Sequence, residues 1–185
     1  LAGAHHGGEL LSIDFVLDAV TTLLDSDDAA LRRARDELQI WCVPMVNPDG
    51  VRAFLQGSPR TGRKNGRDHD GDGRPGVGEG VDLNRNYPFR WGALGERGSR
   101  SQPQSYWYRG PSPASEPEVQ AMMRLGASER FVASISYHTG TVALLAPYTT
   151  DGPRSPEPDE AWAVAEHIAA RMPPHPQGGA FTARR

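Results

Sequence analysis

Two histidines and one glutamate lie close together near the start of the chain, in the stretch His5-His6-Gly7-Gly8-Glu9. His6 and Glu9 are three residues apart, so a single helical turn can place an imidazole and a carboxylate on one side. Zinc binds both kinds of ligand and needs one or two further groups from elsewhere in the chain. Because His5 lies four residues before Glu9, spacing alone does not choose between the two histidines. It also leaves open a polar surface patch that binds no metal.

A second cluster of potential ligands lies in the middle of the chain and has a different chemistry. It matches the twelve-residue pattern of a calcium loop, with glycine at the sixth position and the carboxylates Asp68, Asp70, Asp72 and Glu79. Pro75, Gly76 and Gly78 disfavour the flanking helices of an EF-hand, so the pattern predicts a calcium loop without helices. A solvated loop rich in Asp and Gly is the alternative.

The elements expected to position His6 and Glu9 are a strand before them and a helix after them. Residues 1–4 form a short apolar entry, and apolar residues recur with helical spacing from Leu10 to Leu24. In an open α/β sheet, the crevice for chemistry forms at the carboxyl ends of the strands. We therefore expect both side chains at such an edge.

Helical and extended segments alternate along the rest of the chain. The sequence predicts helices at 29–38, from a capping-box spacing at Ser115-Glu116-Pro117-Glu118 and from Ser155 onward, a turn at Asn47-Pro48-Asp49-Gly50, and strands at 38–46, 131–137 and 142–146. This alternation predicts an α/β three-layer sandwich.

Composition limits the classes of protein and partner. A chain of 185 residues is long enough for one domain with a real core, and its net charge of −3 argues against nucleic acid as the main partner. Cys42 is the single cysteine, which excludes an intramolecular disulfide and a thiolate metal cluster. An uninterrupted apolar run of about 18 residues is absent, so no membrane span is expected.

Several motifs follow one another along nearly the whole chain. They are His6-Gly7-Gly8-Glu9, Asn47-Pro48-Asp49-Gly50, Asp82-Leu83-Asn84-Arg85-Asn86, Tyr108-Arg109-Gly110-Pro111, Ser115-Glu116-Pro117-Glu118 and Ser136-Tyr137-His138. Together they resemble the zinc carboxypeptidase family, the funnelin-type metallocarboxypeptidases. The resemblance implies a three-layer α/β sandwich with a mixed central sheet and helices on both faces, truncated at both ends.

The resemblance also implies a ligand set for zinc. It makes His6, Glu9 and His138 the ligands and leaves His5 as a neighbour. The fourth coordination position then remains for a water, the arrangement that a hydrolytic zinc requires. From the residues alone, a packed histidine at the end of a strand remains the alternative for His138.

Other positions match the family's substrate-facing residues. Asn84 and Arg85 match the pair that grips the terminal carboxylate of the substrate, and the planar fork of Arg suits two carboxylate oxygens. From the residues alone, a simple polar turn is the alternative. A further arginine of the family polarises the scissile carbonyl; Arg67 is the first choice here and Arg63 the second. Gly8 stands where many relatives carry an arginine for an outer subsite.

The chain departs from the family pattern after His138. The general base of the family is a glutamate on a later strand, preceded by a tyrosine that caps the substrate, and neither has a match before Arg185. We therefore expect residues 1–185 to be a partial zinc carboxypeptidase catalytic domain. We also expect the chain as given not to hydrolyse peptides, because a positioned acid or base typically contributes roughly 10²–10⁴-fold to such reactions.

The function implied by the resemblance is zinc-dependent hydrolysis of the C-terminal bond of peptides or proteins. One alternative is a zinc amidase acting on peptidoglycan stem peptides or N-acyl amino acids, which would share the metal site. A second alternative is a catalytically silent module that binds metal or peptide, favoured by the missing base. The expected cofactor is zinc, with calcium as a second candidate, and the expected setting is secreted or extracellular, as for most relatives.

Overall fold

The computed structural model describes residues 1–57, 62–73, 76, 78–148, 156, 159–175 and 178–184. The chain divides into two compact units, Leu1–Thr139 and Gly140–Arg185. The first unit contains helices α1 (Leu11–Asp25), α2 (Ala29–Glu37), α3 (Pro48–Leu55), α4 (Leu83–Asn86) and α5 (Pro117–Glu129), with a 3₁₀ turn at Gly95–Arg97. The second contains strand β1 (Ala143–Leu145), helix α6 (Glu160–Ala169) and strand β2 (Thr182–Arg184).

Three extended segments lie side by side at the centre of the first unit. Ala2 forms parallel bridges to Val43 on one side and to Ser136 on the other. The Gly3 amide donates to the Val43 carbonyl at 3.0 Å, and the Tyr137 amide donates to the Ala2 carbonyl at 2.8 Å. Because the three segments run in the same direction, their carboxyl ends meet at one edge, as predicted for the segment that leads to the histidines.

Helices cover both faces of the segment at residues 1–4. Ala2 packs in a core with Leu83 of α4 and Val119 of α5. Gly3 points to the opposite face, because successive residues of an extended chain alternate. A Cβ atom on Gly3 would overlap the carbonyl oxygen of Ser12 in α1, so only glycine allows α1 to pack this closely.

The predicted turn at Asn47-Pro48-Asp49-Gly50 is wrong, because these residues begin α3. The Asn47 side chain caps the helix by accepting a hydrogen bond from the Gly50 amide at 2.8 Å. Pro48 occupies the first turn, where a missing amide hydrogen costs nothing. Asn, Pro, Asp and Gly are typical both of turns and of helix starts. Only the apolar residues that follow distinguish a helix start from a turn.

Helix α5 forms as predicted, but its capping box does not. Glu116 is the residue at the N-cap, and no side chain caps the first turn. The Ser115 hydroxyl donates to the Glu116 carboxylate at 2.6 Å and accepts a hydrogen bond from Asn86 at 2.9 Å. Both side chains are therefore used in tertiary contacts, and Pro117 in the first turn marks the start of the helix.

Two of the predicted strands pair with a neighbouring segment only in part. In the segment 38–46 only Val43 forms a bridge, and Leu38, Ile40 and Trp41 are exposed. In the segment 131–137 only Ser136 does so, and Val132 is 99% exposed. Both segments pair with residues 1–4 alone among the described residues, which is too short a partner for a full ladder.

The second unit contains a small parallel sheet and one helix. Ala143 pairs with Thr182, and the register continues through the next two residues. The predicted strand at 142–146 and the predicted last helix are thus confirmed with shorter bounds, α6 being capped by Asp159. The predicted helix start at Ser155 lies outside the described residues. Helices in the described part of the chain are all too short or too polar to cross a membrane.

Candidate metal centre

His6, Glu9 and His138 come together at the edge where the extended segments end. One ligand atom from each of the three lies within 4.8 Å of the other two. The Nδ1 atom of His6 is 2.9 Å from Oε1 of Glu9, and the Nδ1 atom of His138 is 2.9 Å from Oε2 of the same carboxylate. Two imidazole nitrogens therefore converge on one carboxylate, from His6 three positions away and from His138 129 positions away.

Glycine and serine shape the turn that carries His6 and Glu9. A Cβ atom on Gly7 would overlap the backbone of Gly50, so glycine lets the start of α3 approach the turn. The Ser12 hydroxyl donates to the Glu9 carbonyl at 2.6 Å and accepts from the Ala4 amide at 2.8 Å. These contacts hold the turn between the extended segment and α1.

Burial and hydrogen bonding shift the pKa values of Glu9 and His6. Burial alone would raise the pKa of the Glu9 carboxyl, but its hydrogen bonds to His138 and His6 outweigh burial and lower the pKa to about 2. Burial alone would lower the pKa of His6, but hydrogen bonds to Asp82 and Glu9 raise it. Glu9 is thus ionised near neutral pH and available as an anionic ligand.

His5 does not join this set of converging ligands, although it is next to His6 in the chain and its ring stacks against that of His138. Its Nε2 atom is 3.0 Å from the Tyr87 hydroxyl, and its Nδ1 atom is 3.1 Å from the Ser136 hydroxyl. Burial, together with the nearby His138, lowers the pKa of His5 to about 4. Both ring nitrogens are engaged and the ring is neutral near pH 7, so the geometry favours His6 as the ligand.

Asp82 is a member of the site to which the sequence analysis gave no role, although it begins the motif that contains Asn84 and Arg85. It is fully buried, and its Oδ1 atom is 3.2 Å from Nε2 of His6. Burial would raise the pKa of Asp82, but the hydrogen bond to His6 and the charge of Arg63 lower it. Histidines that bind metals usually donate their second N–H to a carboxylate, which fixes the ring. An acidic residue two positions before Asn84 was the available signal.

The first choice for the carbonyl-polarising arginine is not supported by its contacts. Arg67 pairs with the buried carboxylate of Glu116 at 2.9 Å, in a network away from the metal cluster. Arg63 instead donates to Oδ2 of Asp82 at 2.8 Å and lines a pocket shared with His6 and Glu9. Of the two candidates, Arg63 therefore lies beside His6 and Glu9, whereas the contacts described for Arg67 are with Glu116.

Asn84 and Arg85 lie on α4, which begins at the partner of His6. The Asn84 amide donates to Oδ1 of Asp82 at 3.1 Å, and the Asn84 side chain is exposed. Arg85 is half-buried, and its Nη1 atom donates to the Asn84 carbonyl at 3.0 Å. Its buried Nε atom has no hydrogen-bond partner among the described residues. Neither residue joins the metal cluster, but Asp82 connects both to it.

The second predicted cluster assembles in part. Asp68, Asp70 and Glu79 offer oxygens within 4.8 Å of one another, whereas Asp72 is not in that set. Asp68 accepts hydrogen bonds from the amides of Gly71 and Gly73, and the latter bond is the main reason that its pKa is lowered. In the described part of this loop, backbone amides of the loop itself therefore satisfy the Asp68 carboxylate.

The chemistry of the first cluster fits a zinc ion. Two neutral imidazole nitrogens and one carboxylate oxygen are the ligands of hydrolytic zinc sites, which keep a further position open. The carboxylate of Asp82 behind His6 supplies the expected outer partner. The described part of the chain contains no other group of this kind with histidine ligands.

Comparisons with known proteins indicate the same metal. A family described as zinc carboxypeptidase matches residues 1–183. Metallocarboxypeptidase A of Trichophyton rubrum is 37% identical over 117 residues, and human carboxypeptidase A5 is 40% identical over 123 residues. These matches cover 61% and 65% of this chain but 26% of each relative, so the chain spans about a quarter of the length of these curated relatives.

Two solved structures share the fold. Thrombin activatable fibrinolysis inhibitor has a TM-score of 0.75 and 27% identity, over 97% of this chain and 44% of that one. Carboxypeptidase A from Helicoverpa armigera has a TM-score of 0.76 and 24% identity, over 98% of this chain and 43% of that one. The predicted α/β fold, with helices on both faces of a central sheet, is thereby confirmed.

Proposed function

The chain belongs to the zinc carboxypeptidase family, and we propose that it contributes the metal centre and the carboxylate site of an enzyme that removes C-terminal residues from peptides or proteins. In this proposal residues 1–185 form part of one catalytic domain. The observation that carries it is the convergence of His6, Glu9 and His138 on one point beside Arg63. An extracellular setting, as in most of the family, is part of the same proposal.

Three side chains hold the metal in this proposal. The Nδ1 atoms of His6 and His138 and the carboxylate of Glu9 are the ligands, and Asp82 orients the His6 ring through Nε2. When bound, zinc supplies a water of lowered pKa and a Lewis acid for the scissile carbonyl. The ligands need no large rearrangement, because their donor atoms already face one another.

Arg63 supplies positive charge at the reacting carbonyl. Its side chain is only 13% exposed, and Asp82 holds one edge of the guanidinium at 2.8 Å while the group lines the pocket beside Glu9. Fixed donors aimed at the place where negative charge develops lower the barrier, because they need no reorganisation during the reaction. Asp82 therefore orients two groups, the His6 ring and the Arg63 guanidinium.

This assignment predicts a contrast between two arginines. Replacing Arg63 by alanine should lower kcat for peptide hydrolysis by about 10²–10³-fold, the usual cost of losing one such donor. Replacing Arg67 by alanine should affect stability through Glu116 but leave kcat within about tenfold. Steady-state kinetics on the zinc-loaded complete enzyme measure both, because residues 1–185 alone are expected not to hydrolyse peptides. A larger loss of kcat in Arg67→Ala would restore the first choice made from the sequence.

We also propose that the loop from Asp68 to Glu79 binds calcium, supported by the spacing of its carboxylates and by the approach of Asp68, Asp70 and Glu79. Calorimetric titration with calcium should give a binding heat that disappears in Asp70→Ala. Asp36→Ala, which changes an exposed aspartate on α2, is the matched control and should keep the heat. Absence of calcium heat in the parent protein would reject this site.

A further inference from the structure

A pocket of about 280 Å³ opens beside the candidate metal centre. Its lining residues are His6, Gly8, Glu9, Phe54, Arg63 and Tyr106. This volume lies just below the usual range for whole drug-sized ligands, about 300–1,000 Å³, so it suits a single side chain. Two of the walls are the rings of Phe54 and Tyr106, and we call this the aromatic pocket.

Gly8 lets the Phe54 ring reach into the aromatic pocket. A Cβ atom on Gly8 would lie 3.2 Å from Cδ2 of Phe54, which is closer than ordinary contact. Any larger side chain at this position would push the ring aside or fill the space in front of it. The glycine therefore keeps both the ring face and the volume beside it accessible.

Charge in the aromatic pocket is already paired. The Arg63 guanidinium lies 5.1 Å from the centre of the Tyr106 ring, and its edge donates to Asp82. Glu9 is hydrogen-bonded by both histidines of the cluster. The described lining residues thus offer no uncompensated charge to an acidic or basic side chain, whereas the two rings offer apolar surface.

The position of Arg63 indicates which part of a substrate enters. Arg63 is the proposed donor to the scissile carbonyl, and it lines this pocket, whereas Asn84 and Arg85 of α4 are absent from its described lining. The scissile carbonyl belongs to the penultimate residue of the substrate. The pocket therefore lies beside that residue and not beside the substrate's terminal carboxylate. We propose that the aromatic pocket binds an aromatic or large apolar side chain at the penultimate residue of the substrate.

This assignment rests on the proposed carboxypeptidase function, and binding tests it without turnover. Two tripeptides that differ only in penultimate Phe or Ala, each with a methylene in place of the scissile carbonyl, are titrated calorimetrically into the zinc-loaded protein. The Phe peptide should bind at least about 10-fold more tightly, as expected for burying one aromatic side chain. Tyr106→Ala should reduce this preference to less than about 3-fold without changing the Kd of the Ala peptide.

Trp107→Ala is the matched control, because Trp107 is a neighbouring aromatic residue with the same 46% exposure and does not line the aromatic pocket. It should keep the preference for Phe. Equal Kd values for the two peptides, no binding of either, or an unchanged preference in Tyr106→Ala would overturn the assignment. Zinc content and the Kd of a C-terminal amide are measured on the same samples; loss of zinc or equal binding of the amide counts against the proposed function instead.

Discussion

Replacing His6 or His138 by alanine is expected to remove nearly all zinc from the protein, whereas replacing His5 by alanine leaves the metal bound. His6 and His138 each direct Nδ1 at the Glu9 carboxylate, and loss of either leaves two ligands for an ion that needs at least three from the protein. His5 binds Tyr87 and Ser136 instead. Metal analysis after dialysis, expressed per folded chain, measures the contrast.

An intermediate variant refines this experiment. Asp82→Asn keeps the size of the side chain but removes the carboxylate that faces Nε2 of His6, and should weaken zinc binding by about 10–100-fold. A zinc titration with a competing chelator gives the Kd. Full zinc content in His138→Ala would contradict the ligand assignment. So would complete loss of zinc in His5→Ala with the fold retained.

Replacing Arg85 by alanine is expected to weaken binding of a carboxylate ligand by about 2–5 kcal/mol, the range for removing one partner of a buried charge pair. The half-buried guanidinium of Arg85 donates one hydrogen bond to the Asn84 carbonyl. Its Nε atom lacks a hydrogen-bond partner in the described part of the chain. A planar fork with a free edge suits two carboxylate oxygens. Calorimetry with an N-acyl amino acid measures the loss.

Two comparisons make the Arg85 result specific. Arg85→Lys keeps the charge but loses the fork, so it should bind the ligand with intermediate affinity. The C-terminal amide of the same ligand should bind weakly to the parent and lose little in Arg85→Ala. If parent and Arg85→Ala bind the acid equally, α4 is only a polar helix, and a zinc amidase without a carboxylate site becomes the better interpretation.

Local features of the sequence were sufficient to identify helices α1, α2, α5 and α6 and the ligand types, but not the short helices α3 and α4. His6 and Glu9 belong to one turn, so three residues of spacing already place an imidazole near a carboxylate. Helices α1 and α5 follow from apolar spacing and from Pro117 in the first turn, which act within a few residues. The order of motifs was sufficient for the family, because each motif is short and self-contained.

Tertiary structure alone decided the contacts between distant residues. The family resemblance implied His6 over His5, but residue spacing did not; the contacts that engage the His5 ring come from Tyr87 and Ser136, 82 and 131 positions away. The extent of pairing at 38–46 and 131–137 depends on how little of the partner segment they meet. Neither property is encoded in the neighbours of the residue concerned.

Arg63 and Arg67 show most clearly what the sequence determines and what the fold determines. Arg63 and Arg67 lie in one polar stretch with similar neighbours, and either could supply the positive charge that the chemistry needs. The sequence alone determined that an arginine is available near this point. The fold decided which one lies beside His6 and Glu9, because buried Asp82 pairs with Arg63 while buried Glu116 pairs with Arg67. A buried carboxylate needs a partner, and only the folded chain determines which cation each one meets.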